Sequence, residues 1–334
     1  MIASDNIKIR EIEIYHPETY RDNEYYIKYY ENQGIPPEET RKLLEEKLAK
    51  DKRYTILEGS GENSLTMGIE AAKKVLKKSG LAGKDMDMVC FVSCTPEYMF
   101  PPTALKIHNA INGSSKALCF DLNANCIGMA SAMEQVYCYM SVRTQVKRVL
   151  IIASEYFTRF ADKRNALYYA SFTDSACAMI LEKTKEDSYF IDSEYYVISN
   201  VHERVAVPAC GMSKVFTGEP ENILCRMDSI DQDNQIIYKT VKTMLANHNL
   251  TPQDIDLFCV CQFSEQIVRD FQKDMGVEPE KVPYVGRKYG YTGASTPFLA
   301  LYETIQSGKL HRGDYIYIWT TGFCIENVFL LLRY

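Results

Sequence analysis

The chain has 334 residues, 46% of them hydrophobic and 25% charged, with a formal net charge of -6. That length and composition support a large buried core, as one big domain or two fused ones, and the mild acidity spread along the chain argues against nucleic acid as a partner. Charges interrupt the N-terminal "MIASDNIKIREIEIY" where a signal peptide needs an apolar core, and no apolar run reaches the length of a membrane span, so a soluble, cytoplasmic protein is expected.

Eleven cysteines, an odd number, lie mostly in apolar segments and read as reduced thiols, most of them small core residues. The closest pairs, Cys90 with Cys94 and Cys259 with Cys261, have no His-rich set beside them, so no metal site is expected.

In chain order, "AAKKVLKKSGLAGKDMDMVCFVS" reads as an amphipathic helix ended by Gly80, a short linker, an Asp-x-Asp step and a buried strand. Lys116 to Leu122 is short and strand-like. Beyond it Met129, Met133, Val136, Tyr137 and Met140 recur at helical spacing, so Cys126, in "DLNANCIGMA", falls at a strand-to-helix turn. Unpaired N–H groups and the macrodipole at a helix N-terminus favour a thiolate, and Cys126 is the only cysteine placed this way; a lowered thiol pKa is expected. Gly128, unfavourable within a first helical turn, is expected to admit a substrate or another backbone close to the sulfur. On local grounds a packed, inert cysteine is the competing reading.

Next, "MEQVYCYMSVRTQVKRVLIIAS" reads as helix, polar turn and buried strand, "SYFIDSEYYVISN" as extended, and "CGMSKVFTGEPENILCRMDSIDQDN" as irregular. The early grammar then returns. "VKTMLANHNLTPQDIDLFCVC" repeats the helix, linker, Asp-x-Asp and strand, with Asp254 lying 169 residues after Asp85. "LALYETIQSGKLHRGDYIYIWT" repeats the helix, turn and strand, with Tyr315 lying 167 residues after Arg148. The shared offset predicts a duplicated α/β unit whose halves pack about a pseudo-twofold axis. Continuous apolar strands imply sheets covered on both faces, hence a five-layered α-β-α-β-α body. The halves are expected at 1–183, carrying the Cys126 turn, and at 184–334.

Several stretches carry a resemblance: "LTMGIEAAKKVLKKSGL", "TPEYMFPPTALKIHNAI", "DLNANCIGMASAM", "VLIIASEYFTRFADKRN", "FTDSACAMIL", "YGYTGASTPFLALYETIQSGKLHRGDYIYI" and "NVFLLLRY". From about Thr66 onward the chain resembles the thiolase-like condensing enzymes, most closely ketoacyl-acyl-carrier-protein synthase III. The resemblance implies the duplicated thiolase-like fold and Cys126 as a nucleophile that takes an acyl group from acyl-coenzyme A or acyl-carrier-protein as an enzyme thioester. It implies no permanently bound cofactor, and a homodimer, with a heterodimer of related chains also compatible. Phe100 matches the aromatic that closes the acyl pocket across the dimer interface, and Arg164 an arginine near the coenzyme A adenine. Asp174 keeps the acid of the family's Phe-Gly-Asp-Gly-Ala segment, with Thr173 and Ser175 in place of glycines.

The chain also departs from the family. "CVCQFSEQI" puts Cys261 at the position of the family His, and "YGYTGAS" puts Tyr291 at that of the family Asn. Those two side chains donate to the oxyanion that grows when a malonyl thioester loses carbon dioxide, and losing one such donor costs about 10²–10³ in rate. Weak or unusual decarboxylation is therefore expected. "TTGFCIENV" keeps only Gly322 of the glycine turn, leaving the Phe323 N–H as a candidate oxyanion donor. The adenine-stacking Trp has no counterpart before Arg53, Gln266 replaces the carrier-protein-contacting Arg, and Trp319 lies in a buried strand. His16, His108, His202, His248 and His311 read as structural or exposed.

Two functions compete. One is an acyltransferase that passes the Cys126 acyl group to a malonyl unit, an amine, an alcohol or a thiol in fatty-acid-like or secondary-metabolite biosynthesis. The other is a catalytically impaired partner subunit kept for its dimer interface. Retention of Cys126, Gly128 and Asp174 favours the enzyme.

Overall fold

The computed structural model describes residues 6–217, 223–228, 230 and 232–334. In the N-terminal part, β1 (Asn6–Tyr15) is followed by a cap made of β2 (Tyr20–Asp22), α1 (Asn23–Glu31), α2 (Pro37–Lys42), a π-helical stretch Leu43–Leu48, and β3 (Lys52–Tyr54). Then come α3 (Ser64–Ser79), β4 (Met88–Val92), α4 (Thr103–Ala110), β5 (Leu118–Leu122), α5 (Gly128–Val142), β6 (Arg148–Glu155), α6 (Phe157–Phe160), α7 (Ala166–Tyr169) and β7 (Ser175–Thr184). The C-terminal part holds β8 (Tyr189–Val197), the short pair β9 (Val205–Ala206) and β10 (Arg226–Met227), α8 (Asn234–Asn247), β11 (Leu257–Cys259), α9 (Glu265–Met275), α10 (Gly286–Tyr289), α11 (Thr296–Gln306), β12 (Tyr315–Gly322) and β13 (Glu326–Arg333).

Two sheets organise these elements. The first runs β1-β7-β6-β4-β5 and the second β8-β13-β12-β11. Their orders superimpose: β8 stands for β1, β13 for β7, β12 for β6 and β11 for β4. Strands β4 and β6 are parallel, as are β11 and β12, whereas β6 and β7, like β12 and β13, are antiparallel.

The Asp-x-Asp repeat has a physical basis. Asp85 accepts the Ala82 N–H at 2.8 Å and Asp254 the Thr251 N–H at 2.7 Å, each closing a 3-10 turn. The second acid of each pair clamps the neighbouring strand at its start: Asp87 accepts the Arg148 N–H at 3.0 Å, and Asp256 the Tyr315 N–H at 2.8 Å. Each carboxylate satisfies backbone donors that the turn leaves unpaired, so the spacing between turn and strand is fixed in both halves.

Side-chain alternation along the strands separates the cores. Val149, Ile151 and Ala153 of β6 face a central core with α5 and α11, whereas Leu150 and Ile152 face α3 and α4. On β12, Ile316 and Ile318 enter the same central core, while Tyr317 and Trp319 pack with α8 and α9. The layers are therefore α3/α4, sheet, α5/α11, sheet, α8/α9, the five-layered thiolase-like arrangement, with both sheets covered on both faces. Among the described residues no helix is long and apolar enough to cross a membrane.

One local expectation needs correction. The apolar run to Cys261 forms a strand only through Cys259, so Cys261 lies just past the strand end, facing the site. The strand-like run to Leu122 forms β5, an edge strand: Leu118 is 45% exposed, and β5 pairs on one side only.

Candidate active site

The elbow is built on Asn125, whose φ of 54° is left-handed, a conformation asparagine tolerates better than most residues. A 3-10 turn over Asn125–Ile127 delivers Cys126 to the start of α5. Asn125 Nδ2 donates to the Phe323 carbonyl at 2.8 Å, pinning the elbow to the turn between β12 and β13. Gly322 permits this approach, because a Cβ there would lie 3.1 Å from Asn125 Nδ2. At Gly128 a Cβ would lie 2.6 Å from Val92 Cγ1. The neighbour that requires this glycine is thus the β4 side chain, not a substrate.

Cys126 is 1% exposed and packs with Cys261, Tyr291, Phe157, Phe172 and Tyr168. Its thiol is pushed up to about 12, first by burial and further by the Glu155 carboxyl and Cys261. The Tyr291 hydroxyl and the Phe323 N–H, both hydrogen-bonded to the sulfur, oppose that rise. The expectation of a lowered pKa fails because desolvation of a buried thiolate outweighs the helix-terminus effect.

Tyr291 is held between the halves. Its N–H donates to the Ser171 carbonyl at 2.9 Å and its carbonyl accepts the Thr173 N–H at 3.1 Å, forming a parallel bridge with Phe172. Burial, with the thiols of Cys126 and Cys261, raises its phenol well above the usual value, so at neutral pH the hydroxyl keeps its proton and can donate it. Cys261, also 1% exposed, has its thiol pushed up by burial, against the opposing pull of the Phe263 and Thr321 N–H groups and of Lys50.

Two buried carboxyls brace the surroundings. Glu155, at the end of β6, accepts from Ser93 Oγ at 3.1 Å, Thr95 Oγ1 at 2.7 Å, the Cys94 and Thr95 N–H groups, and the Cys94 thiol at 3.4 Å. It fastens the loop after β4, and burial raises its pKa despite those donors. Asp174 accepts from the Ile56 N–H at 2.9 Å, the Thr158 N–H at 2.9 Å and the Thr158 hydroxyl at 2.5 Å. Burial pushes it up to about 6. These bonds tie the chain after β3 to α6, just past β6.

A cavity of about 320 Å³ opens beside the elbow, lined among others by Cys261, Tyr291, Phe263, Thr321 and Phe323. Cys126 is not in its wall, but shares a buried cluster with Tyr291 and Cys261, which are.

Two family models match this chain: 3-oxoacyl-(acyl-carrier-protein) synthase III over residues 120–197, and the C-terminal part of the same synthase over 245–334. The beta-ketoacyl-(acyl-carrier-protein) synthase III of Allorhizobium ampelinum is 27% identical over 284 residues, covering 83% of this chain and 86% of the relative. That of Solibacter usitatus is 28% identical, covering 77% and 80%. The crystal structure of 3-oxoacyl-(acyl-carrier-protein) synthase III from Aquifex aeolicus superposes with a TM-score of 0.81 at 22% identity, over 98% of this chain and all of that one. The chain belongs to the synthase III family of thiolase-like condensing enzymes. As a member it is an acyl-transferring enzyme in kind.

In this synthase III relative, the family-matched residues divide. Cys126, Cys261, Tyr291 and Phe323 come together around one sulfur and one cavity. Phe100 does not join them; it is 83% exposed on the loop before α4. Arg164 pairs with Asp162 at 2.7 Å and borders a separate cavity of about 420 Å³ with Arg21, Arg159 and Lys163. No histidine is in the wall of the cavity beside Cys126: His16 stacks on Tyr54, and His248 bonds to Asp192 at 2.7 Å.

Sequence reasoning missed Asn125 and Lys50. An Asn just before a turn cysteine was a usable signal for a left-handed elbow. Lys50, fully buried and donating to the Phe263 carbonyl, lies in the charged run "LEEKLAKDKRY", which carries no sign of burial.

Proposed function

We propose that this synthase III relative loads an acyl group from acyl-coenzyme A or acyl-carrier-protein onto Cys126 and passes it to an acceptor in fatty-acid-like or secondary-metabolite biosynthesis. The observation that carries this reading is the Cys126 sulfur at the tip of a strand-to-helix elbow, hydrogen-bonded by the Tyr291 hydroxyl and the Phe323 N–H beside a cavity. Attack by the sulfur on a thioester carbonyl builds negative charge on oxygen, and donors already fixed within the site offset that charge without reorganising. The backbone N–H of Phe323 serves this role whatever its side chain.

With Cys261 and Tyr291 at the family His and Asn positions, malonyl decarboxylation is weak or unusual. A phenol donates well, but a thiol donates poorly. The acceptor is then a malonyl unit handled slowly, or an amine, alcohol or thiol. Exposed Tyr98, Met99 and Phe100 and the unpaired edge of β5 support a homodimer in which Phe100 reaches the partner's acyl pocket. Arg164, which borders the separate cavity with Arg21, Arg159 and Lys163 alongside Glu58, Glu62 and Asp162, is read as a coenzyme A contact.

Intact-protein mass after incubation with a panel of acyl-coenzyme A and acyl-carrier-protein thioesters tests loading. An adduct on the wild type that Cys126→Ala lacks is expected, and no adduct from any donor sinks the reading. Malonyl-carrier-protein added to the loaded enzyme should release carbon dioxide far below an ordinary synthase rate. The second reading, an impaired partner subunit, draws on the absence of Cys126 from the cavity wall; it predicts no adduct until a related chain is added.

A further inference from the structure

Residues 48–56, which run from the end of the π-helical stretch through β3, are bonded to both halves of the molecule. On the N-terminal side Arg53 Nε donates to the Ala170 carbonyl at 2.6 Å, and the Tyr54 carbonyl accepts the Asp174 N–H and the Thr173 hydroxyl, each at 2.9 Å. On the C-terminal side the Leu48 carbonyl accepts the Tyr284 hydroxyl at 2.8 Å, and the Asp51 N–H donates to the Arg287 carbonyl at 3.1 Å. Within this strap Lys50 is 0% exposed. Its ammonium donates to the Phe263 carbonyl and, at 3.3 Å, to the Tyr284 hydroxyl. Both partners are uncharged oxygens, and no carboxylate pairs with Lys50 among the described residues. A cation buried this way is costly, and an apolar side chain of similar length fills the same space without that cost, so packing alone does not account for a lysine here.

What the ammonium holds is the cavity wall. Phe263 lies in the irregular turn between Cys259, the end of β11, and Glu265, the start of α9. The Gln262 side chain anchors the residue before it, through the Val260 and Pro283 carbonyls and the Val285 N–H; Lys50 anchors Phe263 itself. The ammonium also lies 5.7 Å from the centroid of the Phe263 ring, so main chain and ring are both held. That ring packs edge to face on Tyr291 at 5.3 Å and on Tyr168 at 5.8 Å, and Tyr168 meets Phe323 at 5.6 Å. These four rings line the cavity and belong to, or pack against, the cluster that contains Cys126, so the way from the cavity to the sulfur leads past them. At about 320 Å³ the cavity is at the small end of ligand sites, about 300–1,000 Å³, and a shift of one ring changes what fits.

We propose that Lys50 is a positioning residue that sets the width of this cavity by holding Phe263 in its wall, and thereby restricts the site to donors with small acyl groups. The inference rests on the acyl loading of Cys126 proposed above. Lys50 touches no reacting atom; it acts through the Phe263 carbonyl and ring. Without it the turn after β11 loses its tie to the strap, the ring leaves its place against Tyr291 and Tyr168, and bulky acyl groups are admitted.

Full-length protein is given acetyl- or benzoyl-coenzyme A, and acylation of Cys126 is timed by peptide mapping. A preference for acetyl of about tenfold or more is expected in the wild type, falling below about threefold in Lys50→Met and in Phe263→Ala. Tyr284→Phe is the control for a merely structural strap. It removes the bond to the Leu48 carbonyl and the second partner of Lys50 but leaves the Phe263 carbonyl held, so it should lower the melting temperature and keep the preference. A wild type without the preference overturns the proposal. So does an undiminished preference in Lys50→Met, or an equal loss in Tyr284→Phe. Phe263→Ala keeps the carbonyl for Lys50 to bind, and an undiminished preference there refutes the role of the ring even if Lys50→Met does not fold.

Cys261, in the same wall, supplies a readout that needs no acyl loading. Its labelling by N-methylmaleimide and N-phenylmaleimide is compared, each rate divided by that of the same protein unfolded in urea. The smaller reagent should be favoured about tenfold in the wild type and in Tyr284→Phe, and less than about threefold in Lys50→Met. Equal ratios in wild type and Lys50→Met refute the role of Lys50. If no acyl group loads while this contrast persists, the reading of Cys126 fails and the control of cavity width by Lys50 stands.

Discussion

Removing the Tyr291 hydroxyl isolates what that group does for Cys126. Tyr291→Phe keeps the ring, which packs 5.3 Å from Phe263 and 6.3 Å from Phe172 between centroids, and keeps the backbone bridge to Phe172, so the fold is expected to stay intact. What disappears is a hydrogen bond to the sulfur that favours the thiolate. A hydrogen bond to a charged group contributes about 1.5–3 kcal/mol, so without it the thiol is pushed still further above its ordinary value. A higher pKa means less thiolate at fixed pH, and the nucleophilic fraction falls about 10- to 100-fold. The assay is single-turnover acylation of Cys126 by an acyl-coenzyme A at pH 8, followed by intact mass in a Cys261→Ala background so that only one site thiol reports. The rate should fall by that factor in Tyr291→Phe, with the melting temperature little changed. An unchanged acylation rate refutes the assigned role of the phenol, because the hydrogen bond would then be irrelevant to sulfur reactivity.

Gly128→Ala should lower stability by about 1–3 kcal/mol through the 2.6 Å approach to Val92 Cγ1, even though alanine is the better helix former; in a thermal melt, Val92→Ala should recover part of that loss when the two are combined. Asp174 has a folded pKa of about 6 against 3.8 unfolded, so the folded state binds the proton more tightly, and stability falls as pH rises from about 4 to 6, by up to about 3 kcal/mol; urea midpoints across that range should flatten in Asp174→Asn. Asn125→Val forces a β-branched residue to a φ of 54° and removes the bond to the Phe323 carbonyl; a loss of about 1–3 kcal/mol and slower Cys126 acylation are expected by melt and by mass, with Asn125→Gly less impaired in stability. Phe100→Asp should weaken the proposed homodimer, read as a lower mass than the wild type by light scattering, given 83% exposure of that ring on a single chain.

The repeat was legible because its anchors are side chains with one job. Asp85 and Asp254 close turns, and Asp87 and Asp256 clamp strands; each needs a carboxylate at a set distance from a strand, so the residues survive as a pattern in the letters. The elbow was legible for a similar reason, since the change from strand to helix spacing brackets Cys126. What local pattern could not carry is the state of the sulfur. A helix start favours thiolate whatever surrounds it, but burial under Tyr291, Phe157 and Phe172 comes from segments distant in sequence, and burial wins. Lys50 was invisible for the converse reason: a lysine in a charged run reads as solvated, and only the docking of the cap against the chain after Cys261 buries it.

That same arrangement constrains the order of events at Cys126. With its thiol near 12, the free site at neutral pH holds a protonated sulfur, and the carboxyl of Glu155 repels the alternative. Lys50 is not among the groups that shift Cys126, so no buried cation offsets that rise. A donor thioester, however, releases a thiolate that needs a proton at the moment Cys126 must lose one. The Tyr291 hydroxyl, which keeps its own proton and touches the Cys126 sulfur, can donate to either sulfur as charge passes between them. Acyl loading then requires no histidine: the proton leaves with the departing thiol, and the reaction is close to symmetric in charge. Acyl transfer draws on the Phe323 N–H for its oxyanion, whereas carbon dioxide loss draws on the groups at the family His and Asn positions, where the Cys261 thiol is the poorer donor. An enzyme built this way should exchange acyl groups between thiols readily and form carbon-carbon bonds slowly.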